Sequence, residues 1–486
     1  MTTTLERPVH RRTAAPGWAP LLVLLTGTFI TTLDFFIVNV AIPATQRDLH
    51  AGPAAIQFIV AGFGLALAAG LITGGRLGDL YGRRRMYALG LGLFTLASLA
   101  CGLAPTAGVL IGARVVQGAA AALLMPQVLA IVNTVYTGEH RARAFNAYGL
   151  AMGLGGVFGQ LIGGLLIHAD VAGLGWRAIF LINVPIGVVA VPAALKVVPE
   201  SRAGNGTRLD PVGAALVSTG LVLVVLPLVM GRQQGWPLWT WLCLAAAPAV
   251  LAVFVLHQRR IGERALVHLP LFRGRAFAAG VGLALVSQLA VASFFLVLAL
   301  YLQDGHGLSA LQSGLIFVPL GVGYFASSGV AARAAARLGH RVLALGALTL
   351  AAGYGLLAAT AAETGTAGNV AWLIPGLVVA GVGMGLLLSP LAAVALSEVD
   401  HRHAASASGV VSTALQSGGA IGVAVVGVAY YNVLGAGRYT AAFTVSLLII
   451  AAICCVTAAI TRSLPSRRSA PTGSPRTASG AEHLAG

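Results

Sequence analysis

Two charged residues stand inside apolar runs long enough to cross a bilayer. Asp34 lies in the middle of TTLDFFIVNVAIP, Thr31 to Pro43, and Arg114 lies in RVVQG within another such run. On insertion scales a charged side chain at the bilayer centre costs about 2.5 to 3.5 kcal/mol, so it is normally retained for a function. A carboxylate held there can gain and lose a proton as its surroundings change between wet and dry. An embedded guanidinium must pair with an acid or with carbonyls. A third group is GGRLGDLYGRRR, Gly74 to Arg85, with Gly75, Asp79, Gly82, Arg83 and Arg84 as its notable members. Two readings stand for it. It is a switchable charge cluster, in which Asp79 caps or pairs with another helix end while Arg83 and Arg84 hold one side closed, or it is a plain basic anchor that orients the chain.

The elements that position these residues follow from composition. The 486-residue chain is 57% hydrophobic and only 9% charged, against a charged share near 25% for soluble domains, so an all-α polytopic membrane protein is expected. With roughly 20 apolar residues per span, fourteen spans can be drawn, from 19–41 and 54–74 to 440–461. An even number places both termini on one side. Placing them in the cytoplasm puts 25 of the 30 lysines and arginines on that side. That asymmetry explains the net charge of +16 as membrane orientation, with no nucleic-acid partner. Thirteen of the 14 acids fall in loops, tails or helix ends, and Asp34 alone is well inside a span. Weak matches at a shift of 264, such as Gly155 and Gly163 with Gly419 and Gly427, fit paired halves. Under that shift Val378 stands opposite Arg114, which confines the charged machinery to the N-terminal half. The expected organisation is a cytoplasmic tail over 1–18, a six-helix bundle over 19–196, and a linker with two extra helices over 197–275. A second six-helix bundle over 276–461 and a disordered cytoplasmic tail over 462–486 complete it.

Several motifs occur in one order between about residues 20 and 460. LDFFIVNVAIP, GRLGDLYGRRR, ARVVQGAAAALLMP, GGVFGQLIGG and WRAIFLINVPIG resemble signatures of the major facilitator superfamily, in particular its fourteen-helix drug:proton antiporter branch. The resemblance implies a major facilitator fold of two six-helix halves plus an extra central helix pair. It also implies proton-driven export of amphipathic, antibiotic-like compounds by alternating access. Arg114 would then take part in proton coupling with Asp34, with Gln117 nearby. The other reading of Arg114 is a static ion pair with Asp34 that fixes packing. Where related sequences often have proline, threonine and a basic residue, this chain has Gln160, Phe36 and Leu80.

Gly155, Gly159 and Gly163 recur every four residues beside Gln160 and Gly164, a smooth stripe for close helix approach. Gln160 is a satisfied polar residue in that contact or a substrate contact. Phe35, Phe36, Gln117, Tyr148, Asn183, Gln288 and Gln416 are candidate cavity residues, with Phe58, Tyr301 and Gln312 also considered from their placement in spans. One carboxylate, Asp34, is expected to serve both proton and cargo. Cys101, Cys243, Cys454 and Cys455 all lie in apolar runs, so packing or lipid contact is expected, with neither disulfide nor metal. No GxxxxGKS loop occurs, so neither ATP drive nor any cofactor is expected. No nucleophile and base pair stands out, which argues against an enzyme. A monomer in a bacterial-type inner membrane, with a small-molecule substrate and protons as partners, is the expectation. Export of one endogenous metabolite, or a non-transporting receptor or scaffold, are the alternatives.

Overall fold

The computed structural model describes residues 17–202, 210–231, 234–262, 265–397, 399, 404–435 and 437–461. The expected N-terminal tail up to residue 16 and the C-terminal tail from residue 462 lie outside these, as do Arg208, Arg232, Arg264 and Arg402. The described residues contain fourteen helices long and apolar enough to span a membrane. They are α1 Trp18–Asp48, α2 Phe58–Tyr81, α3 Arg83–Gly102, α4 Ala107–Val135, α5 Gly138–Ala169, α6 Gly175–Val197 and α7 Pro211–Leu228. The remainder are α8 Leu238–Ile261, α9 Arg275–Gly305, α10 Ala310–Ala331, α11 Arg341–Thr364, α12 Val370–Ala395, α13 Ala407–Leu434 and α14 Tyr439–Ile460. Helix is the form such runs take because lipid offers no partner to an open backbone N–H or C=O.

Side chains fix several of the starts. Thr106 accepts from the Val109 N–H at the start of α4, and Asp210 accepts from the Gly213 N–H at the start of α7. Ser309 and Gln312 form a reciprocal capping box at the start of α10. Gln312 is thereby a helix cap rather than a cargo contact.

The main departure from the sequence reading concerns the stretch after the second span. The span expected to end at 74 continues as helix to Tyr81, and α3 begins at Arg83. GGRLGDLY is therefore the last two turns of α2. Only Gly82 breaks the helix, with φ +106°, a conformation that a residue with a Cβ rarely adopts.

The first six helices pack among themselves through α1 with α5, α2 with α4, α3 with α4 and α3 with α6. The last six do so through α9 with α13, α10 with α12, α11 with α12 and α11 with α14. The two groups meet where α2 packs on α13, α5 on α10 and α12, α4 on α13 and α1 on α9. The extra pair α7 and α8 pack on each other, and α7 lies against both α2 and α13.

Candidate functional site

Asp34 and Arg114 form an ion pair with neither side chain exposed. The carboxylate meets Arg114 Nη1 through Oδ2. Its Oδ1 accepts from Gln117 Nε2 at 2.9 Å and from Asn183 Nδ2 at 2.9 Å. Behind these, Ser98 Oγ accepts from Gln117 Nε2 at 2.7 Å and from Asn183 Nδ2 at 3.3 Å. Arg114 also donates to the Ile59 carbonyl at 3.1 Å and to Gln117 Oε1 at 2.8 Å. Its guanidinium lies 4.4 Å from the centroid of the Phe63 ring and 5.6 Å from that of Phe180. The cluster thus takes one or more groups from each of α1, α2, α3, α4 and α6. Arg114 Nη2 and Asn183 Oδ1 are buried without a hydrogen-bond partner. A buried pair is supported only when surrounding groups replace the lost water, and here two atoms are left without that replacement.

The α5 stripe sets where Asp34 sits. A Cβ on Gly155 would lie 2.9 Å from the Phe29 carbonyl oxygen and 3.0 Å from the Leu33 nitrogen, while one on Gly163 would strike Val40 and Ile37. Only hydrogen at these positions lets the α1 backbone on either side of Asp34 rest directly on α5. Gly164 turns to the other group, against the Ala310 backbone. Gln160 donates to the Phe36 carbonyl at 3.3 Å, which places it in the helix contact and not in a cavity wall.

Cavities lie on the seam between the two groups of helices. One, with about 660 Å³ of open space, is lined by Thr32 and Phe36 of α1, Phe145, Tyr148 and Met152 of α5, Gln288 and Phe295 of α9, Tyr324 of α10, and Met384 and Ser389 of α12. A second, about 460 Å³, is lined by Phe35, Phe36, Asn39, Gly64, Ala292 and Leu296 among others. Asn39 and Leu296 also line a smaller one of about 260 Å³ that ends at Gln303 and Asp304. Phe36 belongs to the first two, and its ring centroid is 4.7 Å from that of Phe295, which lines the first. Phe295 in turn stacks on Phe317 at 5.5 Å.

Of the residues expected in the cavity, Phe35, Phe36, Tyr148 and Gln288 line these spaces. Gln117 and Asn183 do not, since both are consumed in the Asp34 cluster. Gln416 lies against Met125 Sδ at 3.9 Å. Tyr301 is a packing residue that donates to the Gly365 carbonyl at 3.0 Å and stacks on Phe443, and Phe58 is half-buried outside these linings. Cys101 and Cys454 are buried and Cys455 is exposed, in line with packing and lipid contact. Ser98, Tyr324, Met152 and Met384 were not singled out by sequence. Ser98 carried a faint signal as a lone hydroxyl in an apolar span, whereas the others read as ordinary core.

At the α2–α3 corner, Arg83 donates to Asp79 Oδ1 at 2.9 Å and to Thr134 Oγ1 at 3.4 Å. The Arg84 N–H donates to Glu200 Oε1 at 3.1 Å, with Arg84 Nε 3.6 Å from Glu200 Oε2. Asp79 therefore does pair across to the next helix end, but Arg83 and Thr134 lie in the N-terminal six-helix group and Glu200 in the linker just after it, so none of these partners belongs to the C-terminal six-helix group. Gly75 packs on Pro126 of α4.

The sequence profile of the Major Facilitator Superfamily matches residues 24–423, and again 281–482. The chain is a member of the major facilitator superfamily. It is 40% identical over 429 residues to the probable actinorhodin transporter of Streptomyces coelicolor, which covers 87% of this chain and 74% of that protein. It is 37% identical over 416 residues to the puromycin resistance protein of Streptomyces alboniger, covering 84% and 80%. Among solved structures, the major facilitator proton:xylose symporter XylE superimposes with a TM-score of 0.66 over 92% of this chain and 96% of that one, at 15% identity. At that identity the likeness is one of fold. Membership makes this major facilitator a membrane transporter rather than an enzyme.

Proposed function

We propose that this transporter is a proton-coupled antiporter that exports amphipathic, antibiotic-like small molecules by alternating access across a bacterial inner membrane. Both termini lie in the cytoplasm, and the proton gradient, with no cofactor, supplies the drive to a monomer. The names of its relatives support the cargo, since two of them are a probable actinorhodin transporter and a puromycin resistance protein. The observation that carries the coupling is the enclosed pair of Asp34 and Arg114 with its two unpartnered atoms.

Asp34 as an anion holds Arg114, Gln117 and Asn183 in place at once. A proton arriving from outside neutralises it, removing the charge that fixes the guanidinium and converting an acceptor oxygen into a donor. Arg114 Nη2 and Asn183 Oδ1 are free to take new partners at that moment. The change reaches the seam through rings in sequence. Arg114 lies over Phe63, the Phe63 centroid is 6.1 Å from that of Phe35, and Phe35 is 5.0 Å from Phe36 in the cavity wall. Loss of the proton to the cytoplasm restores the anion and the starting arrangement.

The test is efflux from proteoliposomes with and without an imposed proton gradient. Wild-type protein should accelerate several-fold with the gradient, and Asp34→Asn should lose that acceleration. Full gradient dependence in Asp34→Asn would overturn the proposal.

A further inference from the structure

We infer that cargo and proton are held in separate places, and that the cargo is an uncharged, flat, ring-rich molecule bearing hydroxyl or amide N–H groups, bound in the large cavity between α5, α9 and α12. The inference rests on the reading of the chain as an exporter. It changes the sequence expectation that Asp34 serves both partners.

Charge is the first argument. Among the described residues lining the 660 Å³ cavity, none is Asp, Glu, Lys, Arg or His. Asp34 is absent from its walls, is fully buried, and has its carboxylate bonded to Arg114, Gln117 and Asn183. A cation entering would give up its hydration with no carboxylate to replace it, and attraction to the ring faces, about 0.5 to 2 kcal/mol, returns only part of that cost. Asp304 is not among its lining residues and borders the separate small cavity instead.

Shape and polarity supply the rest. The aromatic rings of Phe36, Tyr148, Phe295 and Tyr324 border it, with Met152 and Met384 as adaptable surfaces, and ring faces of this kind attract flat aromatic ligands. Gln288 is 7% exposed and its Oε1 is buried with no partner. An unpartnered buried acceptor favours a ligand that brings a donor to it. The Tyr324 hydroxyl donates its proton to the Gly149 carbonyl at 2.6 Å, so any further hydrogen bond it makes is as an acceptor.

A matched pair of probes tests this: a neutral dihydroxyanthraquinone and the same ring system carrying a quaternary ammonium group. Binding to full-length purified protein is followed by the probes' own fluorescence, and exchange for protons is followed in proteoliposomes. The neutral probe should bind at least tenfold more tightly. Gln288→Leu should weaken it by about tenfold, the equivalent of one lost hydrogen bond. Gln288→Glu, which places a carboxylate in the cavity, should gain binding of the cation. Equal or tighter binding of the cation by wild-type protein, or failure of the neutral probe to bind, would overturn the inference. The two proposals fail differently. A cation exchanged for protons by wild-type protein would leave antiport standing and sink the separate uncharged site, whereas a neutral probe bound and carried without proton movement would do the reverse.

Discussion

Asp34 is held by three side chains on two helices, Arg114 and Gln117 of α4 and Asn183 of α6, and the proposed switch rests on the dependence of each on the carboxylate. A prediction follows for Arg114. Arg114→Met leaves a buried carboxylate without its cation and should destabilise the folded protein by about 3 to 5 kcal/mol. Adding Asp34→Asn should recover most of that loss, because the uncompensated charge is gone. Thermal unfolding in detergent measures both, and an Arg114→Met single variant as stable as wild type would refute the pairing. Asp34 and Arg114 were legible in the sequence because charge in an apolar run is conspicuous. Gln117 and Asn183 were legible as important polar residues but were assigned to the cavity. Nothing in a linear sequence says whether a polar residue on a helix turns inward to its own bundle or toward the seam, and that rotation depends on which neighbour packs closest.

At the scale of elements, α5 is the helix on which both halves of the argument lean. Its glycine stripe seats α1 beside Asp34, and Tyr148 and Met152 on the same helix face the large cavity. Gly155→Leu would press on the α1 backbone at Phe29 and Leu33 rather than on a yielding side chain. It should destabilise by about 1 to 3 kcal/mol and lower gradient-driven efflux more than cargo binding; unchanged efflux would show that α1 is not seated by this contact. The four-residue spacing of the stripe was visible in sequence because it is a local period. The single-residue break at Gly82 was not, since a helical ending in GGRLGDLY runs against the usual reading of paired glycines as a loop.

The extra helix pair has its own fastening. Asp210 caps α7 through the Gly213 N–H and accepts from Gln258 Nε2 at 2.6 Å, with His257 Nε2 at 2.9 Å, both on α8. Gln258 Oε1 accepts from the Val267 N–H, and Arg76 of α2 donates to the Ala265 carbonyl, so the chain leaving α8 is tied to the end of α2. Burial by itself would raise the Asp210 carboxyl, but the Gly213, His257 and Gln258 contacts outweigh it and hold it below its ordinary 3.8. A lowered carboxyl contributes stability that is complete above its ordinary value and is lost as pH falls through the lower folded value. Asp210→Ala should therefore cost about 1 to 3 kcal/mol at neutral pH, read as a drop in thermal stability that shrinks only under strong acid. An unchanged melting temperature at neutral pH would remove the cap and its partners from the account.

For the whole molecule, fourteen spans and the basic-side asymmetry were readable because hydropathy and loop charge act over long stretches and tolerate errors of a few residues. The cavity was not readable in the same way. Phe36, Tyr148 and Gln288 were named, but Tyr324, Met384 and Phe295 come from helices that meet them only after the two groups of six close on each other. Orientation yields a topological prediction: a cysteine placed at Ser201 should react with an impermeant thiol reagent only from the cytoplasmic side, and one at Val171 only from outside. The reverse pattern would invert the proposed direction of transport. The central claim is that Asp34 releases or binds the coupling proton when cargo binds elsewhere. Its most direct test is proton release from purified protein in weakly buffered detergent solution on addition of a transported neutral compound. Wild-type protein should release protons on binding, and Asp34→Asn should bind the compound yet release none; equal release from Asp34→Asn would contradict the account.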